Sequence, residues 1–556
     1  MTKRQHLTGA QAVIAALRAN NVDTVFGIPG VHTLPIYDAI YNEPGMHHIL
    51  ARHEQGAGFM AEGYARATGR PGVVFTITGP GATNVTTPAA SAYADSVPLL
   101  IISSSQSRAS QGHGRGELHE VKDQLGLMQS LVGWTRSVNY VEEISEAVHD
   151  AFRVMQQGRP RGAYIQIPCD LLSLQADVDI TIPGPFERPL PSIESLAEAV
   201  EILRESERPL IVAGAGVTAA NANQQLLQLA ELLQAPVLLG SKSHDVLPTN
   251  HPLVLATNDN LPLDLDAFTA TRDAVLVVGS KLGAERTADR RLPLPERMIH
   301  IDIDPTEIGH NYRTQVGIVS DARVALEALY KFLKEYPRER TAPYSALDDL
   351  REALYLHTVA FQGENFTMLE GVQSALSQLP ADTMVVADMT MLGYAAAQHL
   401  TMRQPRTFIH PAELCTIGSG LPLAIGAQIA HPGRAVIALC GDGGFLLNSS
   451  ELATAAQEKL PIIVVIFNDA TYTRVKTDQR RNYNSHYIAT DLLAPDYVAM
   501  AKAFHAEGIR VNSPEELSQA IQNATRHAGP TVIEVPLLPR HWQNQRSTEQ
   551  SVTTLA

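Results

Sequence analysis

The sequence predicts an α/β protein of three domains, each a mainly parallel sheet flanked by helices. Three observations predict it. Apolar runs of strand length alternate with amphipathic stretches along the whole chain. Two proline-rich breaks, ITIPGPFERPLPSIES (180–195) and YPRERTAPYSALDD (336–349), read as linkers. A chain of 556 residues is also too long for a single core. The expected domains are 1–183, 190–338 and 346–556.

The first residues, MTKRQHLTGAQAVIAALRANN, read as an amphipathic first helix and not a secretory leader. Further on, VVFTITGPGATNVTTPAASAYADSVPLLIIS runs strand, glycine turn, helix, proline-started strand. The third segment repeats this order in AVIALCGDGGFLLNSSELATAAQEKLPIIVVIF. Gly79 to Pro98 is nineteen steps and Gly441 to Pro461 is twenty, which suggests related folds at the two ends. The middle segment carries RPLIVAGAGVTAANANQQLLQLAELLQAPVLL, DAVLVVGSKLG and RMIHIDIDPTEIG. It reads as a nucleotide-binding-like sheet, but GAGVTA lacks a full G-x-G-x-x-G, so dinucleotide binding stays open.

In the third segment, 434–440 reads as a buried strand, 441–443 as a tight turn, 449–459 as a helix and 461–467 as a second strand. A strand–turn–helix–strand unit brings both strand ends to one sheet edge. Asp442 then meets Asn468 and Asp469, with oxygen ligands converging beside backbone amides. That arrangement suits a hard cation holding a phosphate-bearing ligand.

The formal charge of −15 argues against nucleic acid or an anionic membrane as the main partner. No apolar run is long enough to span a bilayer. Cys169, Cys415 and Cys440 are far apart and match no metal spacing. They read as buried thiols in a reducing, cytoplasmic compartment.

The stretch Gly441 to Asp469 resembles the signature of thiamine-diphosphate-dependent enzymes, a GDG followed one helix and one strand later by an asparagine pair. RHEQGAGFMAEGYARATG (52–69) resembles the segment that carries their catalytic glutamate, and TGPGATN (78–84) and FGIPGVHTLPIYDAI (26–40) complete the pattern. The resemblance covers essentially the whole chain. It is nearest to the branch containing acetohydroxyacid synthases, benzoylformate decarboxylases and 2-ketoarginine decarboxylases.

The resemblance implies roles for particular residues. Glu54, set among small and apolar neighbours, is expected to be buried, with a raised pKa. It would hydrogen-bond the cofactor's aminopyrimidine and so promote the ylide nucleophile. Asp442, Asp469 and the carbonyl of Thr471 would bind Mg²⁺. Asp469 replaces the family's usual Asn, and a carboxylate serves a hard cation at least as well. Gly441, Gly443 and Gly444 would line the diphosphate, joined by Thr390 and Met391 in DMTMLGY (388–394). In ELCTIGSGLPLAIGAQ (413–428), Ile417 would wedge the cofactor and the Cys415 carbonyl would accept from its amine. His32, just past IPGV, and His119, in GRGELHEVKDQ (114–124), are candidates for proton relay or substrate binding.

The implied reaction is decarboxylation of a 2-oxo acid through ylide and enamine. Asp478 stands where acetohydroxyacid synthases carry a tryptophan. Its carboxylate could take a guanidinium, pointing to 5-guanidino-2-oxopentanoate. The competing reading is a solvated helix carboxylate paired with Lys476, Arg480 or Arg481. GSKSHDVLPTNHP replaces the stretch expected near a flavin, so FAD is doubtful. A flavin-independent acetolactate synthase is the alternative, and a catalytically silent cofactor-binding paralogue a remote one. The resemblance also implies a homodimer or homotetramer with active sites between subunits.

Overall fold

The computed structural model describes residues 2–257, 263–337 and 339–537. Three six-stranded sheets, every pairing in them parallel, form its frame. The strands that face helices on both sides, such as Gly72–Thr76 and Ala274–Val278, are buried along their whole length. That is why they read as unbroken apolar runs.

The first sheet runs His47–Leu50, Thr24–Gly27, Gly72–Thr76, Leu99–Ser105, Ala163–Pro168, Trp134–Ser137 across its width. The third runs Phe408–Ile409, Met384–Ala387, Val436–Gly441, Ile462–Asn468, Thr531–Pro536, Glu507–Arg510. Numbered within each sheet, both have the order 2-1-3-4-6-5. The echo between the two glycine turns therefore reflects a shared topology. The central sheet differs: Val254–Ala256, Val237–Leu239, Pro209–Ala213, Ala274–Val278, Met298–Asp302, Val316–Val319 give 3-2-1-4-5-6, the doubly wound nucleotide-binding order.

Several elements depart from expectation. The chain opens on a strand, Thr2–Thr8, before the helix Gly9–Ala19. This strand pairs antiparallel with Gln175–Thr181, so the first proline-rich break starts inside a strand. Thr8 and Gln11 close the helix with a reciprocal capping box. The second break is shortened, because the helix Tyr344–Gln362 begins within it. Its Leu347, Leu350 and Leu354 pack beside Leu210, Val212 and Leu238 of the central sheet. The Gly-Asp-Gly is no tight turn. Gly441, at φ −82°, caps a helix that starts at once, Asp442–Leu447. The single helix expected over 449–459 is a short 3₁₀ turn, Ser449–Glu451, followed by Leu452–Gln457.

The first and third sheets share one apolar core that includes Phe26, Phe59, Met60, Leu421, Leu423 and Val436. At its centre the helices Glu54–Thr68 and Gly420–Ala430 touch backbone to backbone. A Cβ on Gly63 would stand 2.1 Å from the Leu423 carbonyl oxygen, and one on Gly426 would stand 1.8 Å from that of Met60. The two helices are thus as close as main chains allow. Gly426→Ala should destabilise the protein by about 1–3 kcal/mol through overpacking, read as a lower urea midpoint. An unchanged midpoint would show that the contact yields freely.

Candidate active site

Ligand sites in open parallel sheets lie beyond the carboxyl ends of the strands, where the strand order reverses. In the third sheet that point lies between Met384–Ala387 and Val436–Gly441. Three adjacent strands there end directly in, or one residue before, a carboxylate: Asp388, Asp442 and Asp469. Asp442 is buried. Burial, and next the charge of Asp469, lift its carboxyl to about 6, although the amides of Gly443 and Ala470 pull the other way. Its Oδ2 is buried without a hydrogen-bond partner among the described residues. Asp469 accepts from the Thr473 hydroxyl. Thr471 is buried, its hydroxyl donates to the Thr490 carbonyl at 2.9 Å, and its own carbonyl accepts from the Thr473 amide at 2.9 Å. That carbonyl retains a second lone pair.

The glycines provide room. A Cβ on Gly441 would lie 3.1 Å from Thr390 Oγ1, one on Gly443 2.5 Å from the Tyr472 ring, and one on Gly444 3.3 Å from Ile417 Cγ1. Thr390 precedes the helix Met391–His399 and makes no capping bond with its side chain. Met391 is buried, with its carbonyl taken by Gln362 Nε2 at 2.9 Å. Ile417 is half-buried, and Cys415 is exposed at φ 52° with its thiol on the Ala412 carbonyl. The expectation of three buried thiols fails at this residue, which lies on the open loop before the helix Gly420–Ala430, and holds only in part at Cys169. Cys440 is buried and Cys169 half-buried.

The reversal point of the first sheet gathers the remaining candidates. Glu54 begins the helix Glu54–Thr68 and is half-buried, not buried as expected, because it stands at the helix's first position and not in its middle. Its Oε2 accepts from Asn84 Nδ2 at 2.9 Å. His32 Nδ1 lies 3.0 Å from the Thr78 hydroxyl, and the His32 and His119 rings meet edge to face at 5.7 Å. Burial, and then His119, hold His32 below the ordinary histidine range. Gly79, at φ 70°, allows the His119 carbonyl to close over it, where a side chain would collide.

A cation and a phosphate-bearing ligand fit the third-sheet half. An orphaned buried carboxylate oxygen, a second carboxylate beside it and side-chain-free backbone are its donor set. Comparison with known proteins identifies the ligand class. The N-terminal, central and C-terminal domains of thiamine pyrophosphate enzymes match residues 7–127, 196–329 and 388–535. The chain belongs to the thiamine pyrophosphate enzyme family. A probable 2-ketoarginine decarboxylase of Pseudomonas aeruginosa is 36% identical over 544 residues, 96% of this chain and 95% of that protein. A probable acetolactate synthase large subunit of Methanocaldococcus jannaschii is 32% identical over 557 residues, covering 96% and 92%. The mitochondrial acetolactate synthase catalytic subunit of Saccharomyces cerevisiae is 31% identical over 569 residues, covering 96% and 82%.

The carboxyl ends of the first and third sheets gather most of the candidates. Asp478 stands apart. It lies on the helix Thr473–Asn482 and pairs with Arg474 at 3.4 Å, whereas Lys476 pairs with Asp491. Two residues escaped the sequence reading. Tyr37, inside the quoted FGIPGVHTLPIYDAI, has a buried hydroxyl without a hydrogen-bond partner among the described residues, and the Glu54 charge reaches it. Asp388, the first residue of DMTMLGY, is buried and accepts from the Gly418 amide at 3.1 Å and the Met389 amide at 2.7 Å. It thereby fixes the loop that carries Ile417.

Burial raises the Asp388 carboxyl from 3.8 to about 6, against four backbone amides. The folded protein thus holds this proton more tightly than the unfolded chain. The group costs the fold nothing below about pH 4 and its full penalty above about pH 6. Asp388→Asn should therefore gain stability relative to the parent, by about 1–3 kcal/mol, as pH rises from 4 to 7. Parallel unfolding profiles for the two proteins would contradict this.

Proposed function

We propose that the protein decarboxylates a 2-oxo acid, using thiamine diphosphate and Mg²⁺ held between the first sheet of one copy and the third sheet of another. The observation that carries the reading is the orphaned Oδ2 of Asp442 beside Asp469. Thiamine diphosphate, when bound, supplies an acidic ring carbon and an electron sink for the departing CO₂. The protein holds, orients and moves protons.

In this reading Asp442, Asp469 and the Thr471 carbonyl hold Mg²⁺. The amides of Gly443 and Gly444 and the turn at Thr390 and Met391 face the diphosphate, while Gly441 keeps that approach open. Ile417 would prop the ring system, and the Cys415 carbonyl would accept from its amine. Glu54 would give and take a proton at its own carboxyl, beside the pyrimidine ring of the bound cofactor. His32, kept neutral at pH 7, and His119 beside it pass a proton to the product carbon or orient the substrate carboxylate. No flavin is needed for these steps.

We propose 5-guanidino-2-oxopentanoate as substrate, supported by the relative described as a probable 2-ketoarginine decarboxylase. Asp478 is the candidate guanidinium partner. Its pair with Arg474 is exposed and weak, so exchange for a substrate cation costs little. The acetolactate synthases among the relatives support the second reading, carboligation of two 2-oxo acids. Product analysis separates the two: an aldehyde supports decarboxylation, an acetohydroxy acid carboligation. No turnover of any 2-oxo acid would leave only a silent paralogue.

We also propose an obligate dimer, or a tetramer of two such dimers. Val31, Leu34 and Leu118 are exposed beside His32 and His119, and Leu447, Ile488 and Leu493 are exposed around the third-sheet half. Apolar surface next to both half-sites suits an interface between copies. A catalytically active monomer in sedimentation would contradict this. The thiols of Cys169 and Cys440 favour a reducing compartment, and we place the enzyme in the cytoplasm.

Glu54→Gln should lower turnover by at least about 100-fold while cofactor stays bound. A fully active variant would overturn the assignment. Asp478→Asn should raise KM for the guanidino acid by about fivefold and spare pyruvate. Equal effects on the two substrates would remove Asp478 from recognition.

A further inference from the structure

Glu451 is a fully buried carboxylate with no part in the steps above. It ends the short run that begins with Asp442, yet it points away from the third-sheet edge into the first domain. Its Oε1 accepts from the backbone amides of Arg52 at 3.2 Å and His53 at 3.0 Å. Its Oε2 accepts from the Arg52 amide at 3.1 Å and the Thr454 hydroxyl at 2.7 Å. Arg52 and His53 are the two residues directly before Glu54. They form the link between the strand His47–Leu50 and the helix Glu54–Thr68.

Three features make this contact specific. Gly56 lies in the first turn of that helix, and a Cβ there would stand 2.1 Å from Glu451 Oε1. Glycine thus opens the space that the carboxylate fills. The Arg52 side chain reinforces the link, donating to Gln457 at 2.8 Å and to the Leu50 carbonyl at 2.9 Å. The carboxylate also faces the positive end of the helix, where an anion is favoured.

We infer that Glu451 is a positioning residue for Glu54: it fixes the main chain from which the Glu54 carboxyl projects. The inference rests on the proposed role of Glu54. A buried amide pair left without its acceptor costs the fold and frees the segment to move. Misplacement of a proton-transfer group by about 1 Å can cost about 100-fold in rate.

The test uses the full-length enzyme. Glu451→Ala should raise amide hydrogen exchange at Arg52 and His53 in cofactor-free protein. Cofactor affinity should stay within about threefold, while exchange of the bound cofactor's ring proton slows by about 10- to 100-fold. Glu451→Gln keeps one acceptor oxygen and should recover most of that rate. Gly56→Ala, which displaces the carboxylate from the helix side, should reproduce the defect and serves if Glu451→Ala does not fold. Unchanged ring-proton exchange in these variants, or a loss wholly in cofactor affinity, would overturn the inference. Glu54→Gln is run alongside. If it alone slows ring-proton exchange, only the role of Glu451 falls; if it too leaves exchange unchanged, the assignment of Glu54 falls with it.

Discussion

Asp442 and Asp469 follow the ends of neighbouring parallel strands, and burial first, then the charge of Asp469, makes the Asp442 charge harder to keep. That cost is the constraint on which the reading of the third domain depends. The Asp442 carboxyl, buried, lifted to about 6 and with one unpartnered oxygen, would be stabilised as an anion by a cation held there. In the proposed reading a divalent cation placed there would turn an acidic edge into a phosphate-binding one. That would let a chain of formal charge −15 hold the diphosphate of a thiamine pyrophosphate enzyme. The glycines around Asp442 serve the same end by keeping side chains out of the approach.

The second dependence is mechanical. The helix that begins with Glu54 is fastened to the third domain of its own chain at both its start and its middle. Glu451 holds the main chain at Arg52 and His53, and Gly63 and Gly426 bring two helices into backbone contact. Farther along, Arg66 pairs with Glu62 and Asp95, and Asp95 accepts from the Glu413 amide at 3.1 Å. Glu413 also pairs with Lys242 and Lys281 of the central domain. All three domains therefore meet at the end of one helix. Rigid support of this kind suits the role proposed for Glu54, which needs a carboxyl held in place.

Local patterns in the sequence exposed much of this. Buried parallel strands read as apolar runs, and the Gly-Asp-Gly marked the strand end that carries Asp442. Features that depend on distant partners did not show. The strand Thr2–Thr8 finds its mate at Gln175–Thr181, far along the chain, and its mostly polar run TKRQHLT carries no apolar alternation to mark it. Asp388 reads as an ordinary turn aspartate until the Gly418 amide is placed against it. The half-exposure of Glu54 escaped because small neighbours in a helix suggest burial, whereas the residue stands at the helix's first position. Asp478 found Arg474, one turn back, and not the three cations beside it that the sequence offered.

The account stands on the claim that the Asp442–Asp469 pair binds its ligand through a cation. Calorimetric titration of thiamine diphosphate into metal-stripped protein, with and without Mg²⁺, tests this directly. Tight binding should appear only with Mg²⁺ and should vanish in Asp442→Ala. Equal affinity in the presence and absence of a divalent cation would contradict the account.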